Sequence, residues 1–201
     1  MRPTVSHGSS ALGRKASLRR AARDARDAIP PPMRAEAAAA VAARIDAELL
    51  AGLAAGTTIA LYAAKGSELD TRAVAAAALG RGLVLAYPRV IPGSRRLLFH
   101  RATPDVLVPG IFGILEPPAA APEVDPAAAA LVLLPGLAFD RSGVRLGWGQ
   151  GHYDATLASA GAEVVRVGVA FESQLVDQLP HDEHDVPVHL IATEVALHRP
   201  G

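Results

Sequence analysis

Residues 131–157 read LVLLPGLAFDRSGVRLGWGQGHYDATL. The apolar run Leu131 to Leu134 has strand character and ends at Pro135-Gly136. A loop then carries Asp140, Gly143, Arg145 and three alternating glycines, Gly147, Gly149 and Gly151. His152, Tyr153 and Asp154 follow at once, where a helical pattern begins. Alternating glycines let the backbone approach a bulky anion, because no Cβ stands in the way. A helix N-terminus beside them offers free N–H groups and a positive dipole end. With Arg145 on the way in and Asp154 on the way out, the block suits a nucleotide triphosphate and its magnesium. The alternative is a glycine-rich surface turn. The block is not a P-loop, because no Gly-Lys-Ser/Thr follows the glycines, and it is not G-x-G-x-x-G. Arg145, Trp148, His152, Tyr153 and Asp154 crowd into ten residues. Ordinary turns seldom gather so many bulky functional side chains, which favours the phosphate reading.

Working outward, strands and helices alternate. The pattern predicts a helix over Gly13 to Ile29, ended by Pro30-Pro31-Pro32, and a second, alanine-rich helix over Met33 to Leu53. A strand over Thr57 to Tyr62 follows. Leu69-Asp70-Thr71 opens a third helix, which Gly80 and Gly82 close. Strands are expected over Leu83 to Tyr87 and Leu97 to His100, then an irregular, proline-rich stretch from Pro104 to Pro126. After the central strand come a helix over Tyr153 to Ala160, a strand over Val164 to Ala170 and a helical turn near Gln174. Short strands at Leu190 to Thr193 and Val195 to Leu197 end the chain. Such alternation indicates a mostly parallel sheet covered on both faces. The Lys65 to Asp70 loop and the glycine block each follow the carboxyl end of a strand, so both should open on one face.

The chain has 201 residues, which suits one domain. The expected organisation is a disordered leader over residues 1–12 and a single domain over 13–201. Half of the residues are apolar, but alanine dominates and aromatics make up 4%. Of the basic residues 18 are arginine, so Lys15 and Lys65 stand out. Net charge is zero, which argues against nucleic acid as a partner. The absence of cysteine excludes disulfides, thiolate catalysis and cysteine-ligated zinc. No apolar run can span a bilayer and no secretory h-region is present, so the expectation is a soluble cytoplasmic protein without a membrane partner.

Several smaller constellations bear on chemistry. Lys15 and Arg19 lie four apart on one helix face and can grip one anion, or else belong to a solvated basic face. Asp70 is read as an N-cap of the third helix, leaving Glu68 to recognise a ligand's N–H groups. His181-Asp182-Glu183-His184-Asp185 is either a metal cluster or a polar loop between prolines. If a metal binds, oxygen ligands and magnesium suit a triphosphate, and Asp185 and Asp154 could share the ion. His100 and His198 are read as surface or edge-strand residues. Trp148, the only tryptophan, sits in the glycine loop and suits a flat ligand.

These residues resemble the 5-formyltetrahydrofolate cyclo-ligase (methenyltetrahydrofolate synthetase) family over most of the chain. The resemblance is carried by Lys15-x-x-x-Arg19, Glu68-x-Asp70-Thr71, Tyr87-Pro88-Arg89 and Gly113-Ile114-Leu115-Glu116-Pro117. The long block Pro135-Gly136-x-x-Phe139-Asp140 through Gly143-x-Arg145-x-Gly147-x-Gly149-x-Gly151-x-Tyr153-Asp154 is the most specific part. Gly168-Val169-Ala170-Phe171-x-x-Gln174, His184-Asp185 and Thr193-Glu194 complete it. The resemblance implies a three-layer α/β/α sandwich with a mostly parallel sheet. It also implies an enzyme with ATP and the reduced folate 5-formyltetrahydrofolate as substrates and Mg2+ as cofactor; a monomer is expected. The implied reaction phosphorylates the formyl oxygen, after which N10 closes the ring to 5,10-methenyltetrahydrofolate.

By the same resemblance, Lys15, Arg19 and the run Arg145, Leu146, Gly147, Trp148, Gly149, Gln150, Gly151, His152 and Tyr153 bind ATP. Arg145 and Tyr153 act in catalysis, Glu68, Trp148 and Tyr153 hold the folate, and Asp154 and Asp185 hold the metal. Gln150 departs from the lysine often found there, and His152 from a common aromatic residue. Two other classes compete: a folate-binding relative without turnover, and a sugar-phosphate isomerase or CoA-transferase-like enzyme. Intact Lys15, Arg145 and Asp154 oppose the first. The second needs no ATP, and its catalytic carboxylate is not identifiable.

Overall fold

The structure, a computed structural model, describes residues 11–158, 160–161 and 163–201. The leader expected over residues 1–12 lies outside them, except that residues 11 and 12 already belong to the first helix. Helix α1 covers Ala11–Asp27 and α2 covers Pro31–Ile45. The proline run breaks α1 and starts α2, since a proline in the first turn lacks only an N–H that would go unused. Helix α2 was expected to reach Leu53. It ends at Ile45 and continues as a single wider turn, Asp46–Leu50, of π type.

Strand β1 is Thr58–Ala60, helix α3 is Arg72–Gly80, β2 is Val84–Val90 and β3 is Leu97–Arg101. The proline-rich stretch expected to be irregular holds three two-residue strands: β4 (Val108–Pro109), β5 (Leu115–Glu116) and β6 (Glu123–Val124). The central run forms β7, Leu131–Pro135. The segment read as a loop after it folds into two strands, β8 (Ala138–Asp140) and β9 (Arg145–Leu146), before helix α4 (His152–Leu157). Helix α4 stops short of the expected Ala160. Strands β10 (Val165–Val169), β11 (Leu175–Val176), β12 (Leu190–Ala192) and β13 (Leu197–His198) complete the chain.

The main sheet has eight strands in the order β13-β12-β10-β7-β1-β2-β3-β6. The five from β12 to β2 are parallel; at the two ends β13 and β3 run against them, and β6 pairs antiparallel with β3. Side chains of β7 alternate between two cores. Leu131 and Leu133 join Val41, Ile45, Val74 and Ala78 of α2 and α3 on one face. Val132 and Leu134 join Phe139 and Leu157, from β8 and α4, on the other. The mostly parallel sheet with helices on both faces is the expected α/β/α arrangement. On the second face a small sheet, β11-β8-β9, takes much of the covering role.

Candidate active site

The loops after β1 and β7 do open on one face, and they touch. Trp148 Nε1 in the glycine loop donates to Glu68 Oε1 at 3.0 Å. The other Glu68 oxygen accepts from the Lys65 backbone N–H at 2.8 Å, so the carboxylate is aimed by its own turn. Asp70 is not the N-cap of α3; that position is Thr71, whose hydroxyl donates to Tyr62 O. Asp70 still accepts from the Arg72 N–H at 2.9 Å, because an Asx side chain bonds readily two residues on.

Arg145 is almost wholly buried. Its Nη2 donates to Asp154 Oδ1 at 2.9 Å, and its guanidinium stacks on the Tyr153 ring, 5.5 Å from the centroid. Burial and the Glu68 carboxylate push the Tyr153 hydroxyl up, with Arg145 partly offsetting them. That hydroxyl stays protonated at neutral pH and can serve as a donor. A side chain on Gly147 would meet Arg145 Nη1 at 2.9 Å, so glycine here makes room for the arginine. Gly149 and Gly151 both have positive φ, at 96° and 67°, which a bulky residue rarely adopts.

Helix α1 lays its cations across this surface. Arg19 Nε donates to Gly147 O at 3.0 Å. Lys15 Nζ meets Asp182 at 2.8 Å and Asp185 at 3.0 Å. Burial would lower the Lys15 pKa, but the two carboxylates outweigh it and raise it. Residues 15 and 19 therefore do share one face turned to the site rather than to solvent. The 181–185 stretch behaves as a polar loop that binds Lys15. Among the described residues no group of three or more His, Cys, Asp or Glu side chains is placed to hold a metal.

Asp154 and Asp185 are nevertheless neighbours, since the Val186 N–H donates to Asp154 Oδ1 at 3.3 Å. Asp154 Oδ2 and Asp185 Oδ1 have no hydrogen-bond partner among the described residues. One free carboxylate oxygen from each is a donor set suited to a hard cation that takes its remaining ligands from phosphate and water.

Three residues went unassigned in the sequence. Arg26 on α1 is buried at 2% exposure. It donates to Ser67 Oγ at 2.9 Å, lies 3.9 Å from Glu68 Oε1 and stacks on Trp148 at 5.4 Å. Its spacing of seven from Arg19, two helical turns along the same face, was the available signal. Gln174 donates to Gly136 O and Leu137 O at 2.9 and 3.0 Å, fixing the start of the loop. Arg95, in the turn between β2 and β3, comes within 3.0 Å of the Cβ position of Gly151, and its carbonyl pairs with His152 Nδ1. His100 also departs from the expectation of a surface or edge position. It is buried on β3 between β2 and β6, with Nδ1 against Ala121 O at 2.7 Å. His198, on the edge strand β13, pairs with Glu172 at 2.8 Å.

Beside Glu68 lies a cavity of about 430 Å3, lined by Tyr62, Asp70, Tyr87, Leu107 and Leu115 among others. A carboxylate, a tryptophan and an apolar cavity thus adjoin a glycine-rich cradle ringed by arginine and lysine.

Comparison with known proteins agrees with this geometry. Residues 11–194 match the model of the 5-formyltetrahydrofolate cyclo-ligase family. A 5-formyltetrahydrofolate cyclo-ligase from Mycolicibacterium smegmatis is 34% identical, over 69% of this chain and 74% of that protein. One from Escherichia coli K12 is 35% identical, over 68% of this chain and 77% of that protein. The solved 5,10-methenyltetrahydrofolate synthetase of Aquifex aeolicus superposes with a TM-score of 0.79 at 29% identity, covering 92% of both chains. Glycine cradle, fold and relatives converge: this chain belongs to the 5-formyltetrahydrofolate cyclo-ligase family.

Proposed function

We propose that the cradle and the adjoining cavity close 5-formyltetrahydrofolate to 5,10-methenyltetrahydrofolate at the expense of ATP. The observation that carries this reading is the Trp148–Glu68 hydrogen bond, which joins the nucleotide loop to the folate cavity. A phosphoryl group can pass between two ligands only if both sit on one continuous surface.

ATP lies on the backbone from Arg145 to Tyr153, with Lys15 and Arg19 on its phosphates. Glu68 accepts the N–H groups of the pterin, and Trp148 and Tyr153 flank it. The formyl oxygen attacks the γ-phosphorus, forming one P–O bond as the bond to ADP breaks. N10 then attacks the activated carbon and loses its proton, and the phosphate leaves with the C–O bond pair. Such chemistry depends on positioning and charge neutralisation rather than on a strong base. Arg145 neutralises the transferring group, held in place by Asp154 and the Tyr153 ring. Magnesium, when bound, draws charge from the triphosphate, and Asp154 and Asp185 are the residues that would hold it. The protein works as a cytoplasmic monomer in this reading, with neither nucleic acid nor membrane as partner. Zero net charge is in keeping with the absence of nucleic acid from this reading.

The test is the gain in absorbance as methenyltetrahydrofolate forms from 5-formyltetrahydrofolate. Product should appear only with ATP and magnesium together. Equal product without ATP would reject the reading.

A further inference from the structure

The cavity beside Glu68 carries charge of both signs. Its lining includes the carboxylates of Glu68 and Asp70 and the guanidiniums of Arg34 and Arg72. Arg72 is already engaged: its Nε and Nη2 donate to Asp70 Oδ2 at 2.8 and 2.5 Å. Arg34 is not. It stands half-buried in the first turn of α2, and among the described residues no side chain or carbonyl pairs with its guanidinium. A like charge lies close by, since Arg34 adds to the effect of burial, the larger of the two, in lowering the pKa of Arg26. A half-buried cation on a cavity wall, repelled by a neighbour and without a counterion, calls for an anion from outside.

The rest of the wall narrows what that anion is attached to. Tyr62, Tyr87, Leu107 and Leu115 offer flat, apolar surface, of the kind that holds an aromatic ring. A reduced folate is built of three chemistries: a pterin rich in N–H donors, an aminobenzoyl ring, and a glutamate that ends in carboxylates. Glu68 suits the first and the apolar wall the second. Arg34 remains for the third, and a guanidinium fork matches a carboxylate with two parallel hydrogen bonds.

We propose that Arg34 receives the glutamate carboxylate of the folate, so that the cavity recognises the tail as well as the pterin. This rests on the assignment of the cavity to the folate. Arg34 holds no partner among the described residues, so its replacement leaves folding intact, which circular dichroism verifies.

The experiment compares two substrates, 5-formyltetrahydrofolate and 5-formyltetrahydropteroate, which lacks the glutamate. Each is tested on the wild type, Arg34→Ala and Arg34→Lys. Arg34→Ala should raise KM for the folate about tenfold or more, the scale of one charge-assisted hydrogen bond, and leave KM for ATP in place. The pteroate should show no such rise, and Arg34→Lys should restore part of the folate affinity. An equal rise for both substrates overturns the proposal, because Arg34 would then shape the cavity without meeting the tail. A wild type that closes neither substrate with ATP overturns the cyclo-ligase reading itself, and this one with it.

Discussion

At the scale of single residues, the Arg145–Asp154 ion pair bears on stability, and in the proposed function on chemistry as well. Arg145 has a side chain only 5% exposed, and its buried Nε has no partner among the described residues. Asp154→Asn keeps an acceptor but removes the counterion, and should lower stability by about 1–3 kcal/mol. Thermal melting measures that loss, and turnover across a magnesium titration should fall and shift to higher metal. A normal titration would leave Asp154 a purely structural partner of Arg145. Glu68→Gln should raise the folate KM about tenfold while sparing that for ATP. It should also shift the emission of Trp148, the only tryptophan, because the indole N–H loses its charged acceptor. Lys15→Ala should raise KM for ATP, with Lys15→Arg a partial rescue, since a compact ammonium and a planar fork reach differently. Silence of both variants in steady-state kinetics would confine Lys15 to its ion pairs with Asp182 and Asp185. What was legible at this scale is that Glu68 and the glycine loop meet on one face, as the Trp148–Glu68 bond shows. Arg26 was not. By type it is one arginine among several on α1; the spacing of seven from Arg19 hints at a shared face, but what sets it apart is its contacts far along the chain, with Ser67 and Gly136 among them.

The hairpin of β8 and β9 is the element that presents the cradle, and Asp140 holds its turn. The Asp140 carboxylate accepts from Ser142 N–H and hydroxyl, Val144 N–H and Leu179 N–H. Burial pushes its pKa up, but these hydrogen bonds outweigh it and hold the group below the ordinary carboxylate range. A depressed native pKa adds stability that is present above the unfolded value, about 3.9. That stability is lost as pH falls through the lower native value. Asp140→Asn should therefore cost about 2–3 kcal/mol at neutral pH and flatten the acid limb of the stability curve. Urea melts between pH 3 and pH 7 compare the two proteins; parallel curves would contradict the role. The hairpin itself escaped sequence reading. Its strands are three and two residues long, too short for alternation to register, and glycines on either side suggested a loop. The longer strands β2, β7 and β10 and helices α1 to α3 were readable because their patterns run for more turns or residues than chance provides.

For the whole molecule, one aromatic ring ties the sheet to the cradle. A Cβ on Gly168 of β10 would lie 2.5 Å from the Phe139 ring, and one on Gly136 would lie 2.6 Å from it. Gly168→Ala should thus overpack this junction and destabilise the protein by about 1–3 kcal/mol, read as a lower melting temperature. Phe139 abuts both strand and loop, so the same variant should also raise KM for ATP; an unshifted KM would mean that the ring yields toward the core. The sheet order was not legible, because the pairing of strands such as β6 depends on partners far along the chain. Helix α1 has a different kind of anchorage. Among its described side chains only Arg26 is buried, and no apolar residue of it belongs to the main core. Charge and polar bonds clasp it to the domain, through Lys15, Arg19 and Arg26. A clasp of that make loosens with ionic strength, whereas apolar cores tighten. Concentrated sodium sulfate should therefore uncouple durability from function: the melting temperature rises while both substrates, whose proposed sites share this one helix, are held more weakly.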